Sequence, residues 1–286
     1  MTTVAPRRAR ALRLVRRLLV LALIGYAALA GMLYVKQDAM LFPRQYTHLH
    51  PDSTPPTGAR GVVVTLADGT SVEGWYRPGA GRSPESPGPG VIFCHGNAEL
   101  IDDRLDVMRE YSSRGVGVLL MEYPGYGRST GAPSETSIRE AGARFFDLLA
   151  GFPEVDPSRI VAHGVSLGGG AAGQIARERP VAGLVLTSTF TSVASFAGRY
   201  YVPELLVRHP FRTDDVLRTF DGPVLIFHGV DDEIVPVAHG RALAAIARRA
   251  TYVETPGRHN NYPPDPRAHW AQIDAFFRAN AWLPAE

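Results

Sequence analysis

The sequence contains very little cysteine. Cys94 is the single cysteine in 286 residues, so the chain cannot form an intramolecular disulfide, and a thiolate-based metal site is excluded. Because Cys94 ends the apolar run 91–94, we interpret it as a small core residue and not as a reactive thiol.

Basic residues outnumber acidic residues only because of the N-terminus. The formal net charge is only +2, and the residues before position 18 include Arg7, Arg8, Arg10, Arg13, Arg16 and Arg17. The body of the chain offers no basic stripe interleaved with aromatic residues, so a nucleic-acid partner is not expected.

Charged residues are absent from positions 18–35. As a helix this run would be about 27 Å long, close to the thickness of the hydrocarbon core of a bilayer. A cleaved signal peptide is the alternative, since Ala28, Leu29 and Ala30 have the small-x-small form of a cleavage site. The apolar run continues past that point, which favours an uncleaved transmembrane anchor at 18–35.

The distribution of charge predicts the orientation of this anchor. The arginine-rich tail 1–17 precedes the apolar run, whereas Lys36 and Arg44 are the nearby basic residues that follow it. The positive-inside rule then places the N-terminus in the cytoplasm and the body of the chain across the membrane. In a bacterium, this predicts a single-pass inner-membrane protein with a periplasmic catalytic domain.

The rest of the chain is predicted to form one domain at 61–286, after a Pro- and Thr-rich connector at 36–60. Two runs at 61–66 and 71–77, in which apolar and other residues alternate, flank an Asp-Gly turn. This arrangement is typical of a β-hairpin. Short apolar strands then alternate with amphipathic helices, and this pattern indicates a mixed, mostly parallel sheet with helices on both faces. The long aromatic stretch 189–221 is predicted to be a lid insertion.

The motif G-V-S-L-G at 164–168 is the strongest chemical signal. It follows a predicted strand and opens a predicted helix, which is the context of a G-x-S-x-G nucleophile elbow. Gly164 and Gly168 supply positions without a side chain beside the strained turn. Ser166 is therefore the candidate nucleophile, and Leu167 supplies an oxyanion-hole N–H at the start of the helix.

A serine nucleophile also needs a base and an acid that orients the base. A predicted strand at 224–227 is followed by three adjacent acids, Asp231, Asp232 and Glu233, and their spacing does not choose among them. His259 follows the predicted strand 251–253 on a loop led by glycine. The order serine, acid, histidine is that of α/β-hydrolases.

The loop after the first parallel strand supplies the remaining candidates. Its backbone N–H at Asn97 is the expected second oxyanion donor. His95 and His228 each lie at the end of a strand and precede a glycine, and we interpret both as residues that brace loops by hydrogen bonds.

Several motifs together resemble those of the Bem46-like α/β-hydrolases: H-G-N-A-E, E-Y-P-G-Y-G-R-S, H-G-V-S-L-G-G-G, H-G-V-D-D-E-I-V-P and G-R-H-N-N. The resemblance covers about residue 34 onward and implies Asp232 as the acid. Glu122 and Pro124 depart from the D-Y-R-G-Y-G of relatives, which would affect only local shape. The resemblance also implies hydrolysis of acyl esters or thioesters, often lipid-like, without a metal or an organic cofactor.

Three functions are compatible with these residues. The first is a membrane-anchored serine hydrolase that cleaves carboxylic esters or thioesters, with an acyl or lipid-like substrate. A peptidase or amidase could use the same residues, and the sequence does not separate the two. A non-catalytic binding module is disfavoured because such modules usually lack a member of the triad, and none is missing here.

Overall fold

The structure is a computed structural model that describes residues 5–48 and 53–285. The start of the predicted basic tail, at 1–4, and part of the predicted connector, at 49–52, lie outside the described residues, as does Glu286.

One eight-stranded sheet, in the order β1-β2-β4-β3-β5-β6-β7-β8, organises the domain. The strands are β1 (Arg60–Thr65), β2 (Ser71–Arg77), β3 (Gly88–Cys94), β4 (Gly117–Met121), β5 (Val155–Val165), β6 (Gly183–Thr187), β7 (Val224–Gly229) and β8 (Ala250–Thr255). Strand β2 pairs antiparallel with both β1 and β4. All the other strand pairs, from β4·β3 along the sheet to β7·β8, are parallel. The sheet is therefore mixed and mostly parallel, and the predicted fold class is confirmed.

Seven α-helices lie within the described residues. They are α1 (Ala5–Leu41), α2 (Leu105–Ser113), α3 (Glu135–Ala150), α4 (Leu167–Glu178), α5 (Thr213–Thr219), α6 (Ala238–Ile246) and α7 (Pro266–Ala279). Helix α3 begins where the Ser134 hydroxyl accepts a hydrogen bond from the Ser137 N–H, and α7 begins where Asp265 caps the Ala268 N–H. Both are caps that satisfy N–H groups without a partner inside the helix.

The two faces of the sheet bury separate cores. Within β3, Ile92 and Cys94 belong to the core that contains α3 and α4 residues, whereas Val91 and Phe93 belong to the core that contains α2 and α7 residues. Successive side chains of a strand point to opposite faces, so a strand buried on both faces must be apolar throughout. This accounts for the continuous apolar runs in the central strands.

Helix α1 is longer than the predicted anchor. It continues without interruption through Leu41, so the first six positions of the predicted connector at 36–60 are helical. The residues after the apolar run, 36–41, contain no proline or glycine and therefore no strong helix breaker. The segment Ala9–Leu41 is long and apolar enough to cross a membrane, with a mean hydropathy of 2.3 in its most apolar window.

The segment between β6 and β7 contains the predicted lid at 189–221. Two 3₁₀ helices, Ala194–Tyr200 and Glu204–Leu206, precede the short helix α5. Glu135 at the start of α3 fixes the base of this segment, because one of its carboxylate oxygens accepts a 2.9 Å bond from the Phe211 N–H. Phe211 itself is fully buried.

Substitution of Phe277 tests the packing of the core that contains α7. The side chain is fully buried and packs against Tyr111 and Trp282, so Phe277→Ala should lower the free energy of unfolding by about 3–5 kcal/mol. Gln272→Ala, an exposed change on the same helix, should stay within about 0.5 kcal/mol of the parent. Urea unfolding in detergent measures both, and equal effects of the two changes would contradict this packing.

Candidate active site

Ser166 lies at the sharp turn between β5 and α4. Its φ of 54° and ψ of −117° are unusual for a residue that carries a side chain, and such backbone strain is concentrated at functional sites. A Cβ on Gly164 would collide with the Gly168 carbonyl, and a Cβ on Gly168 would collide with the Cys94 carbonyl. The two glycines therefore allow the turn to pack against β3.

Hydrogen bonds to β6 and to the residues after it hold this turn in place. The Ser166 N–H donates to the Thr187 carbonyl at 2.9 Å, and the Thr189 hydroxyl donates to the Ser166 carbonyl at 2.7 Å. The strained backbone is thus bonded through both of its polar groups, and the side chain projects from a fixed position.

Ser166, His259 and Asp232 form a continuous hydrogen-bonded row. His259 Nδ1 lies 2.7 Å from Asp232 Oδ2, and His259 Nε2 lies 3.0 Å from Ser166 Oγ. Since an ionised carboxylate only accepts, Nδ1–H must donate to Asp232, which leaves Nε2 as the acceptor for the serine hydroxyl. The row joins residues from the ends of β5, β7 and β8 at the carboxyl edge of the sheet.

The structure distinguishes among the three adjacent acids. The Asp232 side chain is fully buried, and its Oδ1 accepts bonds from the N–H groups of Ile234 and Val235. Asp231 is exposed, and Glu233 pairs at the surface with Arg258 at 2.9 Å. The Glu233 carboxylate reaches only the backbone N–H of His259, at 3.5 Å, whereas Asp232 bonds the imidazole ring itself. Asp232 is the acid that the family pattern implies.

The surroundings of Asp232 stabilise its charged form. Burial by itself would raise its pKa, but hydrogen bonds from His228, His259 and the Val235 N–H outweigh burial and hold the pKa of Asp232 well below its usual range. His228 also donates from Nε2 to the Val235 carbonyl at 2.8 Å, so it braces the loop that carries Asp232.

The expected oxyanion donors lie beside Ser166. Leu167 is the first residue of α4, so its N–H has no acceptor within the helix. Asn97 lines the same pocket as Ser166 and Leu167, and its backbone N–H has no acceptor among the described residues. Both N–H groups therefore remain available to a developing negative charge.

A buried pair that the sequence analysis missed supports the Asn97 loop. His95 Nε2 lies 2.7 Å from Glu122 Oε1, and both side chains are essentially inaccessible to solvent. Burial disfavours a charged imidazole, but the Glu122 carboxylate outweighs this effect and raises the pKa of His95. The position of Glu122 directly after an apolar strand was the available signal.

Two tyrosines from the same E-Y-P-G-Y-G segment also hold this loop. The Tyr123 hydroxyl donates to the His95 carbonyl at 2.6 Å, and the Tyr126 hydroxyl donates to the Asn97 carbonyl at 2.8 Å. The segment therefore does more than set local shape, because Glu122, Tyr123 and Tyr126 together fix the backbone that presents the Asn97 N–H.

An apolar pocket of about 430 Å³ opens at Ser166. The predicted lid contributes one side through Phe190, Val193 and Phe196, and the loop after β7 contributes Ile234 and Val235. Such a cavity is large enough for an acyl chain or another small apolar group.

The strand order, the turn at Ser166 and the chain order serine, aspartate, histidine define a protein of the α/β-hydrolase fold. The alpha/beta hydrolase family profile matches residues 91–284, which is more than half of the chain. The chain belongs to the alpha/beta hydrolase family.

Relatives support this assignment. An uncharacterised protein of Mycobacterium tuberculosis is 34% identical over 87% of this chain and 89% of its own length. The alpha/beta hydrolase domain-containing protein WAV2 of Arabidopsis thaliana is 32% identical over 69% of this chain and 71% of its own length. Protein bem46 of Schizosaccharomyces pombe is 27% identical over 76% of this chain and 79% of its own length. The resemblance to Bem46-like hydrolases is therefore confirmed.

Solved structures share the fold at lower identity. Esterase 2 of Thermogutta terrifontis, phosphoramylated by tabun, has a TM-score of 0.67 and 19% identity, and the match covers 83% of this chain and 100% of that one. An esterase of Pyrococcus furiosus has a TM-score of 0.61 and 18% identity, and the match covers 81% of this chain and 98% of that one.

The lowered pKa of Asp232 predicts a pH dependence of stability. An unfolded aspartate titrates at about pH 4. The contribution of Asp232 to the free energy of unfolding is therefore present above that pH, and it is lost as the pH falls through the lower pKa of the folded state. Between pH 6 and pH 3, the parent should lose more unfolding free energy than Asp232→Asn. The exposed Asp231→Asn should follow the parent, and identical pH profiles for Asp232→Asn and the parent would contradict the geometry.

Proposed function

We propose that this chain is a membrane-anchored serine hydrolase that cleaves carboxylic esters or thioesters of acyl or lipid-like substrates. The observation that carries the proposal is the row Ser166–His259–Asp232, in which both hydrogen bonds have the length and the order that acyl transfer to serine requires. Membership of a hydrolase family and the apolar pocket at Ser166 support it.

In the proposed first half-reaction, Ser166 Oγ attacks the acyl carbonyl carbon while His259 Nε2 takes the hydroxyl proton. Buried Asp232 accepts from His259 Nδ1–H and stabilises the imidazolium that forms. The carbonyl oxygen becomes an oxyanion and accepts from the N–H groups of Leu167 and Asn97. When the intermediate collapses, the alcohol or thiol leaves with the proton from His259.

In the second half-reaction, water attacks the acyl-serine carbonyl and His259 takes a proton from the water. The oxyanion forms again at Leu167 and Asn97, and its collapse releases the carboxylic acid while His259 returns a proton to Ser166 Oγ. The proton that passes between Ser166 Oγ and His259 Nε2 moves along the observed 3.0 Å contact. No metal or organic cofactor takes part in the proposed steps.

We further propose that α1 anchors the chain as a single-pass inner-membrane helix, with the catalytic domain in the periplasm. Its apolar segment and the arginines before it support this orientation. Contacts between α1 and the lid favour retention of the segment, because cleavage after Ala30 would remove the bond from the Tyr26 hydroxyl to the Tyr201 carbonyl.

Ser166→Ala tests the proposed chemistry. Without Oγ no acyl-enzyme forms, so the hydrolysis of p-nitrophenyl esters should fall by about three orders of magnitude or more, and labelling by a fluorophosphonate probe should disappear. Ser113→Ala, a surface change on α2, should leave both unchanged.

Retained turnover or labelling in Ser166→Ala would overturn the assignment of the nucleophile. Comparable turnover of matched p-nitroanilide amides and p-nitrophenyl esters by the parent would replace the ester-hydrolase proposal with an amidase.

A further inference from the structure

One wall of the pocket at Ser166 comes from the apolar helix α1. The residues of α1 that line the pocket are Ala30, Leu33, Tyr34, Gln37, Met40 and Leu41. Their spacing of three or four places them on one face of the helix. From Ala30 to Leu41 this face extends over about 16 Å.

The direction of the pocket along α1 follows from two contacts. The Leu41 carbonyl accepts a 3.4 Å bond from the Asn97 side chain, so the C-terminal end of α1 lies beside the candidate oxyanion loop. Ala30 lies at the opposite end of the lining face, within the charge-free run 18–35. The pocket therefore extends from the serine toward the middle of the predicted membrane segment.

Polar contacts fix α1 against the lid. The Gln37 amide donates to the Leu206 carbonyl at 3.2 Å and accepts from the Arg208 N–H at 2.8 Å. Asp38 pairs with Arg208 at 3.0 Å and with His209 at 3.2 Å. These bonds hold the helix and the lid in one arrangement.

The lid also contacts α1 deep within the charge-free run, where the Tyr26 hydroxyl donates to the Tyr201 carbonyl at 3.0 Å. Only residues 18–25 precede that contact within the run, and they span about 12 Å of helix. The hydrocarbon core of a bilayer is about 30 Å thick. If α1 spans the membrane with the domain on the periplasmic side, the tip of the lid must therefore pass through the outer leaflet and reach about the middle of the hydrocarbon core.

The outer surface of the lid has the composition that such immersion requires. Tyr201 is 81% exposed and Leu205 is 85% exposed, although both are large and apolar. Neither side chain lines the pocket. Both lie on the segment that contacts α1, so they are available to acyl chains of the surrounding lipid.

We infer that α1 is a specificity-determining wall of the active site, and that the pocket receives the acyl chain of a lipid ester laterally from the outer leaflet. This inference rests on the proposed function. In this arrangement the ester group of the lipid reaches Ser166, while its acyl chain lies along α1 toward Ala30 and never crosses water.

The first test measures chain-length selectivity of the full-length protein in nanodiscs, as the ratio of kcat/KM for p-nitrophenyl palmitate to that for p-nitrophenyl butyrate. Ala30→Trp fills the far end of the pocket, so this ratio should fall at least about tenfold. Val35→Trp, an exposed change on the same helix that does not line the pocket, is the matched control and should keep the parent ratio.

The outcomes separate the two proposals. If the parent hydrolyses neither ester and is not labelled by a fluorophosphonate, the proposed function is wrong. If the parent hydrolyses both esters and Ala30→Trp has the same ratio as Val35→Trp, the proposed function stands and the role of α1 is overturned.

The second test measures immersion without reference to activity. The three native tryptophans, Trp75, Trp270 and Trp282, are buried in the domain. Leu205→Trp should therefore add a fluorescence signal that brominated lipids quench strongly, whereas Val63→Trp on edge strand β1 should add a signal that they do not quench. If brominated lipids quench the added signal of Leu205→Trp no more than that of Val63→Trp, lateral entry is overturned.

Discussion

The strained turn at Ser166 depends on how closely α4 approaches β3 and β5. Gly168 packs against the Cys94 carbonyl, and Gly164 packs against Gly168. This close approach brings the start of α4, with its N–H groups, next to the loop that follows β3. The distance between the serine and both oxyanion donors is therefore set by two positions where no side chain fits.

The parallel sheet brings the remaining groups to the same turn. Asp232 follows β7 and His259 follows β8, and the carboxyl ends of parallel strands meet at one edge of the sheet. Continuous apolar cores on both faces hold the strands in register. Loops at that edge can then carry polar and strained residues, because the stability of the domain is supplied elsewhere.

The loop that carries Asn97 shows how a second layer of contacts supports the site. Glu122, Tyr123 and Tyr126 come from the segment after β4, and each binds a different part of residues 95–97. Burial of polar side chains is costly even when they are hydrogen-bonded to each other, so His95 and Glu122 are better explained by the fixed loop geometry they produce than by a gain in stability.

Local sequence determined the order of strands and helices, the turn at Ser166 and the candidate partners of that serine, because apolar periodicity and glycine placement act over a few residues. Spacing alone left Asp231, Asp232 and Glu233 equivalent, and burial against His259 distinguishes them in the structure. The role of Glu122 and the pocket wall formed by α1 depend on contacts between residues far apart in the chain. Only tertiary packing decides such contacts, since no local pattern records which distant surfaces will meet.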